Sequence, residues 1–426
     1  MFEAANAQSL TGVALVLLLC WLISEDRGRF PWRLTLIALA VQVAMVLLLF
    51  ASPGARTVLE AVGRGVDALA GSAQAGTRFV FGFLAGGEQP YPAVAGPPYI
   101  LAFRVLPVIL VICALSALLW HWRILKWITQ AFGLVFRKLL GLRGPPSLAA
   151  AATIFMGQVE GPIFIRAYLD RLTRSELFLL ITVGMSCVSG STMVAYASLL
   201  HDVLPHAAVH VLTASIISAP AGVLLARVVV PPDPIESVED FDHEAEKRYE
   251  SSIDALIRGT GDGLTIVLNV AATLVVFVAI VTIADGLLAL LPQVGGGAVS
   301  IERGLGLAFT PLAWSLGVPW SEAPAAGRLL GIKLVLTEFS AFTQLGQPGV
   351  SALSDRSRMI MTYALCGFAN IASVGINVAG YGVLVPRRRG EVMQLVWKAL
   401  AAGFLATCLT AAVIGAMPAA LFAASR

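Results

Sequence analysis

Charge is scarce in this chain: only 13% of its 426 residues are Asp, Glu, Lys or Arg, against about 25% in soluble domains. That scarcity excludes an ordinary water-facing globular fold. The basic residues fall in short clusters rather than on one face or tail, so a net charge of +3 provides no nucleic-acid surface. Cysteine is sparse as well. Cys20, Cys113, Cys187, Cys366 and Cys408 all lie in apolar runs, at spacings that match no metal motif. His201, His206 and His210 could be imagined as a metal group, but they read as part of an interfacial loop. The first apolar run has no basic leader or A-x-A cleavage site and ends in Ser24-Glu25-Asp26-Arg27, so it reads as a retained helix.

What the chain has in abundance is apolar length. Hydrophobic residues make up 58% and mean hydropathy is +0.83. Runs long enough to span a bilayer, about 17 to 25 residues, lie near Leu10 to Ile23, Trp32 to Phe50, Tyr99 to Trp120, Leu177 to Leu200, Val209 to Val230, Leu264 to Leu291, Met359 to Val385 and Val392 to Met417. The predicted fold is an all-α polytopic membrane protein with about eight transmembrane helices. Bases sit in short loops after the odd-numbered spans, at Arg27 to Arg33, Arg123 to Arg143, Arg227 to Arg258 and Arg387 to Arg389. The positive-inside rule then places the termini outside the cytoplasm, with Arg56, Arg64, Arg356 and Arg358 against the trend.

Two polar interruptions stand out. Gly157-Gln158-Val159-Glu160-Gly161-Pro162 breaks one apolar segment, and Thr337-Glu338-Phe339 with Gly346, Pro348 and Gly349 breaks another. A charge in the bilayer interior costs at least about 2.5 kcal/mol, so acids there face a cavity and hold something polar. Each broken segment is followed by two spans, the first of which has a second polar break: Ser186 to Ser191 in one case, Gly367 to Ser373 in the other. Ser or Asn can satisfy the backbone groups that unwinding frees. Paired broken segments are the sequence pointer to a transporter's binding site. One enters after span three and the other after span six, so the two would be re-entrant hairpins in inverted repeat. The expected units are N-terminal scaffold helices (1–146), a first transport repeat (147–230), an acid-rich cytoplasmic linker with a long scaffold span (231–326) and a second transport repeat (327–426). The stretch containing Gly76 to Phe83 reads as a loop.

Taken together, GTRFVFGFL, FRVLPVIL, SLAAAATIFMGQVEGP, RLTRSELF, HVLTASIISAPAG, DGLTIVLNVAATL, GVPWSEA, LLGIKLVLTEF and SRMIMTYALCGFANIASVGI resemble the concentrative nucleoside transporters from Gly76 to about Ala412. That resemblance implies a bacterial inner-membrane homotrimer, set in lipid, in which a mobile part carries a nucleoside inward against a fixed scaffold, driven by a cation gradient. By the same resemblance Gln158 meets the nucleobase with Val159 beside it. Glu160, Glu338, Asn370 and Ser373 meet the ribose, and Phe368 lines the pocket. Carboxylates accept strongly from hydroxyls, and an amide both donates and accepts, so the residue types suit the ligand.

Some positions depart from the family. Thr153 replaces an asparagine that ligates sodium in sodium-coupled members, Cys187 a serine or threonine, Val159 a hydroxyl residue and Thr337 an asparagine. Thr153, Met156, Cys187 and Val188, with Glu160 and Glu338, are the ion-coupling candidates. A thiol is a poor sodium ligand, so proton coupling is favoured over sodium, carried by either Glu160 or Glu338. No cofactor is expected. The alternatives are sodium coupling and another small solute such as a free nucleobase. An intramembrane enzyme would need a nucleophile or metal beside the two acids, and none is present in the sequence.

Overall fold

The computed structural model describes residues 4–88, 100–104, 106–142, 144–163, 165–201, 203–232, 249–292, 300–347 and 353–423. Regular structure among them is entirely helical. The N-terminal third comprises α1 (Ala4–Leu22), α2 (Trp32–Ala51), α3 (Pro53–Phe81), the single turn α4 (Leu101–Arg104), α5 (Val108–His121) and α6 (Ile124–Leu140). A first hairpin follows, α7 (Pro145–Met156) with the short return α8 (Glu160–Ile163), and then α9 (Arg174–Ser186), α10 (Gly190–Leu200) and α11 (Ala207–Val229). After the long α12 (Ser252–Leu288) and α13 (Ile301–Ser315), the same order recurs. Hairpin α14 (Ala323–Val335) and α15 (Glu338–Leu345) leads to α16 (Asp355–Leu365), α17 (Ile371–Leu384) and α18 (Arg389–Ala416), with a closing turn α19 (Ala419–Ala423).

Among the described residues, each apolar run expected to span falls mainly on helix. Three segments among the described residues are unbroken, long and apolar enough to cross by themselves: α2, α11 and the stretch Pro386–Ala416. The runs at Leu177 to Leu200 and Met359 to Val385 are each two helices, split at Cys187 to Ser189 and at Cys366 to Asn370.

Two expectations need correction. The stretch around Gly76 to Phe83 is no loop but the end of α3, which turns at Gly82 (φ 56°). Its apolar residues are too few for a span, yet Pro53 starts it without losing a needed N–H and Ala-rich turns carry it on. The basic stretch after span three is likewise helix: α6 leaves α5 at 77°. Gly133, Phe136 and Leu140 face inward from α6 while Trp127 is open, the pattern of a helix lying along a membrane surface. The acid-rich linker expected from Pro231 to Ser252 falls mostly outside the described residues.

Helices α11 and α18 form the centre, buried along most of their length and joined by the Ser218 hydroxyl donating to Thr410 Oγ1 at 3.2 Å. Around them helices approach closely where glycine allows it. A Cβ at Gly259 of α12 would lie 2.8 Å from the Cα of Ala114 on α5, and one at Gly263 would lie 3.0 Å from the Cα of Leu110. Small residues at this spacing are how apolar helices pack without a hydrophobic driving force.

Glu25, in the turn after α1, ties three elements at one end of the bundle. Its carboxylate accepts from Arg174 of α9 at 3.0 Å and Lys398 of α18 at 2.8 Å, and its amide donates to the Val229 carbonyl at 2.9 Å. Partial burial raises its pKa, but the two cations outweigh this and hold the carboxyl below the usual glutamate range. A depressed folded pKa contributes stability above the unfolded value, about 4.3, and loses it as pH falls through the folded value. Because the cations are partly exposed, the contribution is under about 1 kcal/mol. Glu25→Gln should therefore lower the melting temperature at neutral pH, with the gap to the parent chain closing in acidic buffer. A gap that widens as pH falls would contradict this.

Candidate functional site

The two broken spans meet at their breaks. The extended residue Cys187 offers its carbonyl to the Phe368 amide at 3.2 Å, so each break satisfies part of the other. Gly367 makes this approach possible, since a Cβ there would lie 2.9 Å from the Ser186 carbonyl oxygen. Ser215 of α11 accepts the freed Val188 amide at 3.3 Å, and its hydroxyl faces the carbonyls of Val188 (3.2 Å) and Ile154 (3.5 Å). Lys333, fully buried in α14, donates to the Ala364 carbonyl near the end of α16 (2.8 Å) and to Thr407 Oγ1 (2.7 Å). A cation at a helix C-terminus is stabilising.

Hairpin two brings Glu338 to this crossing. Thr337 caps α15 by accepting the Ser340 amide at 3.2 Å, which puts Glu338 in the first turn, where a negative charge is favoured. Its carboxylate is buried and held on both oxygens, by the Tyr196 hydroxyl (2.7 Å) and by Asn370 Nδ2 (2.5 Å). Asn370 in turn caps α17, its Oδ1 accepting the Ser373 amide at 2.8 Å. Ser373 Oγ accepts from Gln158 Nε2 of hairpin one at 3.2 Å, and Gln158 Oε1 accepts from Asn377 at 2.9 Å. One hydrogen-bonded row therefore joins both hairpins to the second broken span.

Of the residues expected from sequence, Glu338, Asn370, Ser373 and Gln158 are brought together. Phe368 lies half-buried within the second break. Val159 packs against Gly380, where its side-chain carbons fill the place of a Cβ. Glu160 is set apart, in a cavity lined by Phe155, Met156 and Ser189 on one side and by Cys113, Ser116, Tyr249 and Asp262 on the other. Helix α10 links the two acids: Ser189 borders the Glu160 cavity, Thr192 lies 3.0 Å from Ser189 Oγ, and Tyr196, one turn on, reaches Glu338.

Tyr196 and Asn377 were not anticipated. Asn377 could have been found, since it lies one helical turn beyond Ser373 in an apolar helix. Tyr196 had no comparable signal.

The ion-coupling candidates Thr153, Cys187 and Val188 lie near Ser215. Thr153 turns its hydroxyl to its own helix, donating to the Ala149 carbonyl at 2.8 Å, and the Cys187 thiol faces the Ser215 carbonyl at 3.6 Å. Met156 lines the Glu160 cavity instead. The histidines form no metal site among the described residues; His210 is buried, with Nδ1 3.1 Å from the Tyr363 hydroxyl. Hairpin two turns at Leu336 and Thr337; Gly346 follows the other end of α15, and its Cα approaches the Leu199 carbonyl so closely that no Cβ would fit. Pro348 and Gly349 lie outside the described residues.

Paired hairpins meeting two broken helices, in a chain of apolar helices, define a multi-pass membrane transporter. Known proteins agree. The models described as Na+ dependent nucleoside transporter N-terminus, nucleoside recognition, and Na+ dependent nucleoside transporter C-terminus match residues 11–84, 102–203 and 210–415. The uncharacterized transporter YutK of Bacillus subtilis is 36% identical over 417 residues, covering 95% of this chain and 98% of its own length. The nucleoside permease NupC of Helicobacter pylori is 33% identical over 419 residues, covering 96% of each. The solved structure of CNTnw in an inward-facing, substrate-bound state matches with a TM-score of 0.88 at 33% identity, over 97% of both chains. Variants of CNTnw in outward-facing and intermediate states match with TM-scores of 0.85 to 0.88. The chain belongs to the concentrative nucleoside transporter family. It is a transporter, not an enzyme.

Two tyrosines test the hydrogen-bond accounting. Tyr196→Phe leaves a buried carboxylate oxygen without its donor and should destabilise the protein by about 1–3 kcal/mol. Tyr381 is fully buried with its hydroxyl unpartnered, so Tyr381→Phe should be neutral or stabilising. Thermal melts in detergent compare the two, and equal losses would contradict the arrangement described.

Proposed function

We propose that the chain imports nucleosides across a bacterial cytoplasmic membrane, coupled to a cation gradient, with the nucleoside bound along the row from Gln158 to Glu338. The observation carrying this reading is that row: acceptors and donors from both hairpins and from α17 converge where the helices are broken. The ribose hydroxyls would donate to Glu338 and meet Asn370 and Ser373, the base would lie against Gln158 and Val159, and Phe368 would close the pocket. Glu160 would meet the ligand from the side of its own cavity.

The mechanism of this reading is alternating access of the elevator type, and that cavity's two walls support it. One wall belongs to hairpin one and the first broken span, the other to α5 and α12, so the cavity lies on the seam along which a mobile body (147–230 and 327–426) would slide against a scaffold (1–146 and 231–326). The inward-facing, intermediate and outward-facing structures of CNTnw support a path of this kind. In this reading the scaffold trimerises, lipid surrounds it, and the termini are periplasmic, as the placement of the bases suggests.

The coupling ion is read as a proton. The Thr153 hydroxyl is taken up by its own helix and Cys187 presents sulfur, which leaves a hard cation such as sodium few side-chain oxygens. Sodium is the second reading, favoured by the printed description of the matching family models. Radiolabelled uridine and adenosine uptake into proteoliposomes, with proton and sodium gradients imposed separately, should show accumulation with the proton gradient alone. Accumulation only with sodium would overturn the proton reading and keep the transport function. Glu338→Gln should sharply reduce nucleoside binding while the assembly stays intact; unchanged affinity would remove Glu338 from the site.

A further inference from the structure

The amide of Gln158 has a fixed polarity, and the fixing begins at a backbone carbonyl. The side chain of Asn377 reaches back one turn along α17 to the Ser373 carbonyl, 2.8 Å away. A carbonyl oxygen only accepts, so the Asn377 atom facing it is Nδ2, the donor. The same Nδ2 lies 2.9 Å from the Gln158 amide, so the Gln158 atom facing it is the acceptor, Oε1. Gln158 Nε2 is then turned to the Ser373 hydroxyl at 3.2 Å. The Ser373 carbonyl thus sets the polarity of both amides, and Asn377 Oδ1 is left buried without a partner among the described residues.

The backbone on both sides holds this arrangement in place. A Cβ at Gly184 of α9 would lie 3.0 Å from the Gln158 Cβ, so hairpin one is pressed onto α9 at this residue. Val159, next in the chain, fills the space beside Gly380 of α17. Gln158 and Asn377 are both buried, and neither amide has solvent through which to reorient. The result is asymmetric. The oxygen of Gln158 is turned into α17, and its nitrogen is turned toward the row of Ser373, Asn370 and Glu338. A ligand lying along that row meets an N–H.

We propose that Asn377 is a positioning residue that fixes Gln158 with its N–H end toward the ligand, so that the site favours a base with a carbonyl over one with an amine at C4 of a pyrimidine or C6 of a purine. The inference rests on the reading of Gln158 as the base-facing residue. It adds a specificity determinant that itself makes no contact with the base. An N–H meeting a carbonyl forms a hydrogen bond, whereas an N–H meeting an amine leaves two donors opposed.

The test is competition binding to the purified, assembled protein with matched pairs, uridine against cytidine and inosine against adenosine. The parent chain should favour the oxo member of each pair. Asn377→Leu frees the Gln158 amide to turn and should shrink that preference by roughly five- to tenfold, the range one hydrogen bond supports. It should do so by weakening the oxo member and strengthening the amino member. Asn377→Asp presents an acceptor to Gln158, turns its oxygen outward, and should reverse the preference. A merely structural loss would weaken both members alike, and that result overturns the inference, as does a parent chain that favours the amino member. If the leucine variant does not assemble, Asn377→Ser removes the same amide with a smaller change. Gln158→Ala separates the two levels. If it leaves base discrimination unchanged, the base-facing reading of Gln158 fails; if it abolishes discrimination while Asn377→Leu keeps it, only the role of Asn377 fails.

Discussion

A carboxylate held in an apolar interior needs donors on its oxygens, and the centre of this protein is arranged around that requirement. Glu338 comes from the first turn of α15, capped by Thr337, and its two oxygens are met by Tyr196 of one broken span and Asn370 of the other. Unwinding frees the Asn370 side chain to cap α17 and reach Glu338 together. Burying a charge is tolerated where its hydrogen bonds are complete, so loss of one donor is expected to matter more here than loss of a packed methyl group.

Helix breaks at membrane depth carry their own cost, because every freed N–H and C=O needs a partner. The two breaks share theirs. Phe368 donates to Cys187 across the crossing, Ser215 serves Val188 from the central helix α11, and the buried Lys333 holds the end of α16. These bonds tie the breaks to the hairpins and to α11 and α18, whereas α5 meets α10 through apolar packing of Val108 and Ile112 against Val194 and borders the Glu160 cavity.

Much of the fold was legible because apolar length and polar interruption are strong signals in a membrane chain. Among the described residues all eight apolar runs are mainly helical, and the breaks at Cys187 to Ser189 and Cys366 to Asn370 lie where Gly, Ser and Asn interrupt them. Helices α3 and α6 were missed because they are amphipathic, and a search for continuous apolar length passes over one-sided helices. For the site, resemblance to the family picked out Gln158, Glu338, Asn370 and Ser373, which the structure joins. It also named Glu160, which lines a cavity together with Met156 and Ser189. Tyr196 could not be read from sequence. Nothing in a run of residues says that a tyrosine on α10 will meet an acid 142 positions later.

Membership of the concentrative nucleoside transporters points to the substrate class, and the row from Gln158 through Ser373 and Asn370 to Glu338 is where we propose that the nucleoside binds. The most direct measurement is a structure of the protein determined with a saturating nucleoside. The account predicts ribose hydroxyls within hydrogen-bond distance of Glu338 and Asn370, and the base edge against Gln158. A nucleoside bound elsewhere, with this row unchanged and closed on itself, would contradict it.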